Sequence, residues 1–226
     1  MATMKKVEPA PPPEPFRIIA LDFDGVVVDS MPRQERAWRA AVSSVYRQPR
    51  YEEAVVRNLY AGKAGERMFD GIRMAADKRR RLREAKDALW RRVRNRTPLK
   101  QGAKEVIPQL AARYDLAIAT TADRPYVERI LAREGLERYI CRIVTDSEVV
   151  HPKPAPDLIV ALARHFAVDA QQICVVGDTE NDRKMSRAAG AHFIRFAGSG
   201  GAGTGRARRG GLAISWHELG RLLGAR

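Results

Sequence analysis

The 226-residue sequence has few cysteines, few histidines and no long apolar run, and each shortage removes a class of protein. Two cysteines, Cys141 and Cys174, cannot build a disulfide scaffold, and their apolar surroundings (RYICRIV and QQICVVG) predict buried, reduced thiols. With only 4 histidines beside them, no Cys/His metal site is spelled out. No stretch approaches the roughly 18 apolar residues of a membrane span, which excludes a helical membrane protein. The opening residues MATMKKVEPAPPPEP carry two lysines but lack the apolar core, roughly 7–15 residues long, of a secretory signal. A cytoplasmic location is expected. Acidic residues are also in the minority, 27 Asp plus Glu against 41 Lys plus Arg, for a formal net charge of +14.

A hydrophobic content of 45% excludes a disordered chain. At roughly 100–200 residues per domain, the length allows one domain, or one core carrying a smaller insertion. Of the basic residues 32 are Arg, a skew that a GC-rich genome produces without any nucleic-acid partner. Placement says more than the sum: residues 78–96 hold ten basic and two acidic residues, +8 in one helix-like stretch. Leu82, Ala85, Leu89 and Val93 recur there at spacings of three and four. Two readings stand side by side, an amphipathic helix with a solvated charged face, or a dock for nucleic acid or another polyanion.

Residues 8–15 (EPAPPPEP) are proline-rich, so residues 1–15 are expected to form a mobile tail. Short apolar runs follow at 17–23, 115–120, 142–145, 172–176 and 192–196, predicting five strands. Their unbroken apolar character fits strands buried on both faces, and helix-like segments at 103–113, 125–138, 157–166 and 182–189 separate the last four. This is the pattern of an α/β fold, a doubly wound parallel sheet with a Rossmann-like core. Residues 29–97 are far more than one crossover needs, and read as an inserted helical cap with helices at 33–46, 51–60, 67–76 and 78–95, broken at Pro49 and Gly62–Gly65. The core is then 16–28 with 98–226. The Gly-rich stretch Gly198 to Gly211 reads as a flexible loop before a final helix around Trp216 to Leu223.

The chemistry concentrates at strand ends. Asp22-Phe23-Asp24-Gly25-Val26-Val27-Val28-Asp29-Ser30 ends an apolar strand in two carboxylates that the strand period of two points the same way, where open parallel sheets bind ligands. Alone, such a pair serves equally well as a turn cap. Three further strand ends carry matching groups. Thr120 and Thr121 offer hydroxyl donors to an anion. Lys153 projects from a backbone held by Pro152, Pro154 and Pro156. In Gly177-Asp178-Thr179-Glu180-Asn181-Asp182, Asp178 and Asp182 lie four apart, on one face if a helix starts promptly. Carboxylates clustered at strand ends point to a hard cation.

The ordered set DxDGVVVDS, IAT, KPxPD and GDTxND resembles the haloacid dehalogenase superfamily of aspartate-nucleophile phosphotransferases, specifically members with a helical cap after the first motif. The resemblance spans nearly the whole chain. It implies that Asp22 is the nucleophile and that Asp24 protonates the leaving group and later activates water. It also implies that Mg²⁺ is held by Asp22, the Asp24 carbonyl and Asp178, that Thr120 and Lys153 hold phosphoryl oxygens, and that Asp182 orients the metal water or Lys153. Asp24 argues against the dehalogenases and phosphonatases of that superfamily. The segment Arg33-Gln34-Glu35-Arg36-Ala37-Trp38 resembles β-phosphoglucomutases, with Gln34 where these usually carry His and Gly177-Asp178 where they have Glu-Asp. The expected function is therefore Mg²⁺-dependent hydrolysis of a small phosphorylated metabolite, phosphoglycolate-like or sugar-phosphate-like, by a monomer or homodimer. Thr121 with Lys63 or Arg67 of the cap loop is expected to bind substrate. The alternatives are a nucleotide or nucleic-acid-end phosphatase using the basic stretch, and a β-phosphoglucomutase-like phosphotransferase.

Overall fold

The computed structural model describes residues 16–46, 49–61, 63, 65–197, 211–213 and 215–224. The expected tail 1–15, and 198–210 of the expected Gly-rich loop, lie outside the described residues. Runs that are apolar at both parities make strands covered on both faces. β1 (Ile18–Leu21) and β4 (Ile173–Gly177) are buried at every residue, and with β2 (Asp115–Thr120), β3 (Arg142–Thr145), β5 (His192–Phe196) and β6 (Gly211–Ala213) they form one parallel sheet in the order β3-β2-β1-β4-β5-β6. The sixth strand corrects the expected five. Three residues beside a run of glycines carry no periodicity, and their strand character comes from pairing with β5.

Eight α-helices are described: α1 (Met31–Val45), α2 (Pro49–Tyr60), α3 (Ala76–Val93), α4 (Ala103–Ala111), α5 (Arg124–Glu134), α6 (Asp157–Phe166), α7 (Glu180–Ala189) and α8 (Trp216–Leu222). Side-chain alternation along the strands divides the core. Ile19, Leu21, Leu116, Ile118 and Val176 pack with α4, α5 and α8, and Ile18, Ala20, Ala117, Ile173 and Val175 pack with α6 and α7. Local chemistry sets the helix ends. Asp123 accepts from the Tyr126 amide to start α5, and Gly135, at φ +70°, stops it short of the expected residue 138.

The chain leaves the core at Asp29 and returns at Pro98, and the two crossings lie side by side: the Asp29 amide donates to the Pro98 carbonyl at 2.9 Å. Lys100 Nζ lies 2.7 Å from Asp29 Oδ1 across the same junction. Between them α1, α2 and α3 close over their own apolar cluster, which includes Trp38, Val42, Val55, Leu59, Phe69 and Leu82. The break expected at Pro49 is there, with α1 ending at Val45 and Pro49 opening α2, where a first-turn residue has no partner for the amide that proline lacks. One expected cap helix changes. The helix expected at 67–76 is a 3-10 turn, Gly65–Phe69, closed when Asn58 donates to the carbonyls of Met68 and Asp70 at 2.9 and 3.0 Å. Cys174 is buried, but Cys141 is exposed, since it precedes an edge strand with only one neighbour.

Candidate active site

β1 pairs with β2 on one side and β4 on the other, so the winding of the sheet reverses at its centre and a crevice opens at the carboxyl ends there. Asp22 follows β1, its amide donating to the Val176 carbonyl at 2.9 Å, and Asp178 follows β4. Lys153 reaches the same point from the proline-bracketed loop. Its Nζ lies 2.9 Å from Asp22 Oδ1 and 2.7 Å from Asp182 Oδ1. The three side chains are almost wholly out of solvent, at 4%, 10% and 0% exposure for Lys153, Asp22 and Asp182.

Asp182 is fully engaged. One oxygen accepts from Lys153, and the other accepts from the amide of Thr179 at 3.0 Å and from the Thr179 hydroxyl. The Thr179 hydroxyl in turn caps α7 by accepting from the Asp182 amide. The helix starts at Glu180, so Asp178 sits ahead of its cap while Asp182 lies in its first turn. The two still converge, as oxygens of Asp22, Asp178 and Asp182 come within 4.8 Å of one another. Two glycines permit that crowding. At Gly25 (φ +87°) a Cβ would stand 2.1 Å from Asp178 Oδ2, and at Gly177 one would stand 2.4 Å from Asp182 Cβ.

Electrostatics follow from the burial. Desolvation pushes the Asp22 carboxyl up to about 7, against the pull of Lys153 and with the push of Asp182. Burial, then the charges of Asp22 and Asp182, raise Asp178 well above the ordinary carboxylate range. Burial alone would lower Lys153, but the two carboxylates reverse this and hold the ammonium above its usual value. One buried cation thus faces three carboxylates. Asp178 Oδ1 is buried with no hydrogen-bond partner, an orphaned oxygen in an all-oxygen donor set. Those residues fit a hard divalent cation such as Mg²⁺, with Asp22 and Asp178 free to ligate and Asp182 already committed to Lys153 and Thr179.

Asp24 is raised by burial, an effect opposed by hydrogen bonds to Ser30 and Tyr126 and by the charge of Lys86. Tyr126 was not singled out from the sequence. Its hydroxyl donates to Asp24 Oδ1 at 3.4 Å, and its place as an inward residue of α5 gave no hint of that reach. Thr120 ends β2 at 1% exposure, its hydroxyl accepting from the Ala122 amide at 3.1 Å and so keeping its own proton to donate. Thr121 lies on the cleft wall. That cleft, about 310 Å³, is lined by Asp22, Asp24, Lys153 and Asp178 on the core side and by Gln34, Tyr60 and Lys63 on the cap side. Arg67 is not brought to it. Its side chain is 58% exposed and approaches Asp70, because the loop that brings Tyr60 and Lys63 to the cleft turns into a 3-10 helix at Gly65, which carries Arg67 away from it. The solvated face expected of residues 78–96 is present at Lys78, Arg80, Arg81, Arg91 and Arg92, and Lys86 departs from it. Arg79 and Arg83 pair with Glu66 and Arg80 with Glu84, but Lys86 is only 14% exposed and turns toward the core.

Residues 16–190 match the family of haloacid dehalogenase-like hydrolases. The chain belongs to this family. This haloacid dehalogenase-like hydrolase is 26% identical over 183 residues to the fructose-1-phosphate phosphatase YqaB of Escherichia coli (strain K12), covering 80% of this chain and 96% of that one. It is 28% identical over 186 residues to a phosphoglycolate phosphatase of Yersinia pestis, covering 79% and 80%. Among solved structures, a hydrolase of the superfamily's subfamily IA from Geobacter sulfurreducens PCA superposes with a TM-score of 0.69 at 23% identity, covering 92% and 97%. No helix among the described residues is long and apolar enough to cross a membrane.

Proposed function

We propose that this hydrolase is a cytoplasmic Mg²⁺-dependent phosphatase that cleaves a small phosphorylated metabolite through a phospho-aspartyl intermediate on Asp22. The observation that carries the reading is the bridge of Lys153 between Asp22 and Asp182, beside an orphaned Asp178 oxygen and with Asp24 facing the same cleft. The names of the relatives, phosphatases of phosphoglycolate and of fructose 1-phosphate, support a small phosphate monoester as substrate.

In this mechanism Asp22 attacks phosphorus with one carboxylate oxygen as the ester P–O bond breaks. Asp24 gives its proton to the departing alkoxide. Its raised affinity for a proton, from burial, suits it to that donation. The same carboxylate then takes a proton from water, whose oxygen attacks the acyl phosphate and returns Asp22 and inorganic phosphate. Lys153 and the Thr120 hydroxyl donate to phosphoryl oxygens, and Asp182 holds the ammonium in place. A Mg²⁺ ion held by Asp22, Asp178 and the Asp24 carbonyl would offset the repulsion between the nucleophile and a phosphate dianion. The test is release of phosphate from p-nitrophenyl phosphate. Wild-type protein should turn it over with Mg²⁺ and not with EDTA, and Asp22→Asn should be inactive. Turnover that survives Asp22→Asn removes Asp22 as the nucleophile.

A further inference from the structure

A second cavity, of about 450 Å³, adjoins the cleft over Asp22 and shares Asp24, Gln34 and Thr121 with it. Its cap wall is the C-terminal half of α3 and the turn that follows, with Lys86, Arg91 and Arg94. If Asp24 protonates the bridging oxygen, the substrate's ester oxygen lies at a residue both cavities share. The rest of the substrate then has two directions to lie in, toward Tyr60 and Lys63 or toward Lys86 and Arg91.

The two arms differ in which cations are free. Beyond Lys153, the first arm has Lys63, which is 25% exposed and 3.3 Å from Asp70, and Arg195, which is 3.6 Å from Glu180 and donates to the Asp178 carbonyl. Each has a partner, and Lys63 is better solvated than Lys86. In the second arm, Arg94 is bound to Asp123 and drops out. Arg91 ion-pairs with none of the described residues. Lys86 is 14% exposed, with its ammonium 5.6 Å and 5.7 Å from the rings of Trp38 and Trp90. Its ion-pair partner, Asp87, is 3.5 Å away and 52% exposed, and its charge also acts on the buried Asp24 in the same cavity. An ammonium that has exchanged most of its water for indole faces, with a half-solvated partner at its edge, retains a strong demand for an anion. A point charge and a guanidinium fork lining one cavity suit a dianion such as phosphate. The added volume also exceeds what the two-carbon body of phosphoglycolate fills.

We infer that Lys86 and Arg91 read a second phosphate on the substrate, and that the preferred substrates are organic bisphosphates whose two phosphates are separated by a sugar-length chain. This rests on the phosphatase reading above for the placement of the first phosphate. Lys86 and Arg91 are specificity residues.

The experiment compares kcat/KM for fructose 1,6-bisphosphate, fructose 1-phosphate and p-nitrophenyl phosphate with Mg²⁺. The bisphosphate should lead, and the ratio of bisphosphate to aryl phosphate should fall about tenfold or more in Arg91→Ala and in Lys86→Met. Arg91→Lys should restore part of it. Arg81→Ala removes one charge from the same helix outside both cavities, and should leave the ratio where it was. A ratio that neither variant moves, or that Arg81→Ala lowers as much as Arg91→Ala, overturns the inference in favour of no second-phosphate site or of diffuse attraction. Calorimetric titration of fructose 1,6-bisphosphate into Asp22→Asn, with and without Arg91→Ala, reads the site without turnover. A Kd about tenfold weaker in the double variant is expected, and equal Kd values refute the site. Absence of wild-type aryl phosphate turnover alongside that Kd shift would count against the phosphatase reading and leave the binding site standing.

Discussion

Replacing Lys153 by methionine should destabilise the chelator-treated protein, and the loss should grow as pH rises. Methionine keeps the length and apolar stem of lysine and removes only the charge. That charge lies 2.9 Å from Asp22 and 2.7 Å from Asp182, with side-chain exposures of 10% and 0% on the two carboxylates. Stripping one partner from a buried ionic network costs about 3–5 kcal/mol. At about 2–4 °C per kcal/mol for a chain of 226 residues, the melting temperature should drop by about 6–20 °C. The pH dependence has a definite sign. Asp22 already sits near 7 because of burial, above its unfolded value of 3.8, and loses the cation that lowers it. Asp182 is buried too, yet Lys153 and Thr179 hold it below 3.8, so it will rise when Lys153 is gone. A carboxyl whose folded pKa exceeds its unfolded one binds the extra proton in the folded state, so stability falls as pH climbs between the two values. The variant should therefore be nearest to wild type at pH 5 and furthest from it at pH 8. Thermal melts of both proteins in EDTA at these pH values measure the gap, and Mg²⁺ added at pH 8 should narrow it. Equal melting temperatures at pH 8 would show that Lys153 does not neutralise the cluster. A gap of the same size at both pH values would make the effect one of packing.

Gly25→Ala should cost about 1–2 kcal/mol from its positive φ alone, and more from displacing Asp178, since the new Cβ falls 2.1 Å from Asp178 Oδ2. The signature to look for is a higher Mg²⁺ concentration at half-maximal stabilisation. Burial pushes the carboxyl of Glu148, 27% exposed, upward, but hydrogen bonds from Arg124 and from the Thr145 amide hold it below the ordinary 4.5, and Arg142 donates to it as well. The resulting stability is present above pH 4.5 and lost as pH falls through the depressed folded value. Glu148→Gln should therefore cost about 1 kcal/mol at pH 7 and little near pH 3 in urea unfolding. Leu82→Ala empties a fully buried site in the cap cluster and should cost about 2–5 kcal/mol, read as early proteolytic cleavage between residues 29 and 97 while the core resists.

Asp22, Asp178 and Lys153 were legible because their signals are local. A carboxylate directly after an apolar strand has one place to be in a parallel sheet, and prolines on both sides of Lys153 mark a fixed projection. Lys86 was not legible. A helical wheel sorts apolar from polar positions on α3, but it cannot tell which polar positions face water and which face a cleft that exists only once the cap lies over the core. Arg67 failed for the opposite reason, a plausible loop position undone by a turn that Asn58 closes from ten residues away. Tyr126 belongs with Lys86: its periodicity marks it as core, correctly, and says nothing of the hydroxyl at its end. The missed strand and the shortened helices share another cause, because pairing with β5 and a left-handed Gly135 outweigh weak local preference.

The two halves of the candidate site are held by different means, which on the proposed function separates chemistry from selectivity. Asp22, Asp178 and Asp182 hang from adjacent strands and the first turn of α7, in a sheet whose residues are buried on both faces, so their spacing cannot relax without disturbing the core. Lys86 and Arg91 ride on a helix that belongs to the cap's own apolar cluster and is tied to the core through the paired crossings at Asp29 and Pro98. On the proposed function, a change at Arg91 would alter which phosphate ester is held while Asp22, Asp178 and Asp182 stay where the sheet and α7 put them. The net charge of +14 divides in the same way. The candidate site is a cluster of carboxylates inside a basic protein, and among the bases the fold turns inward beside it are Lys153 from the core and Lys86 from the cap.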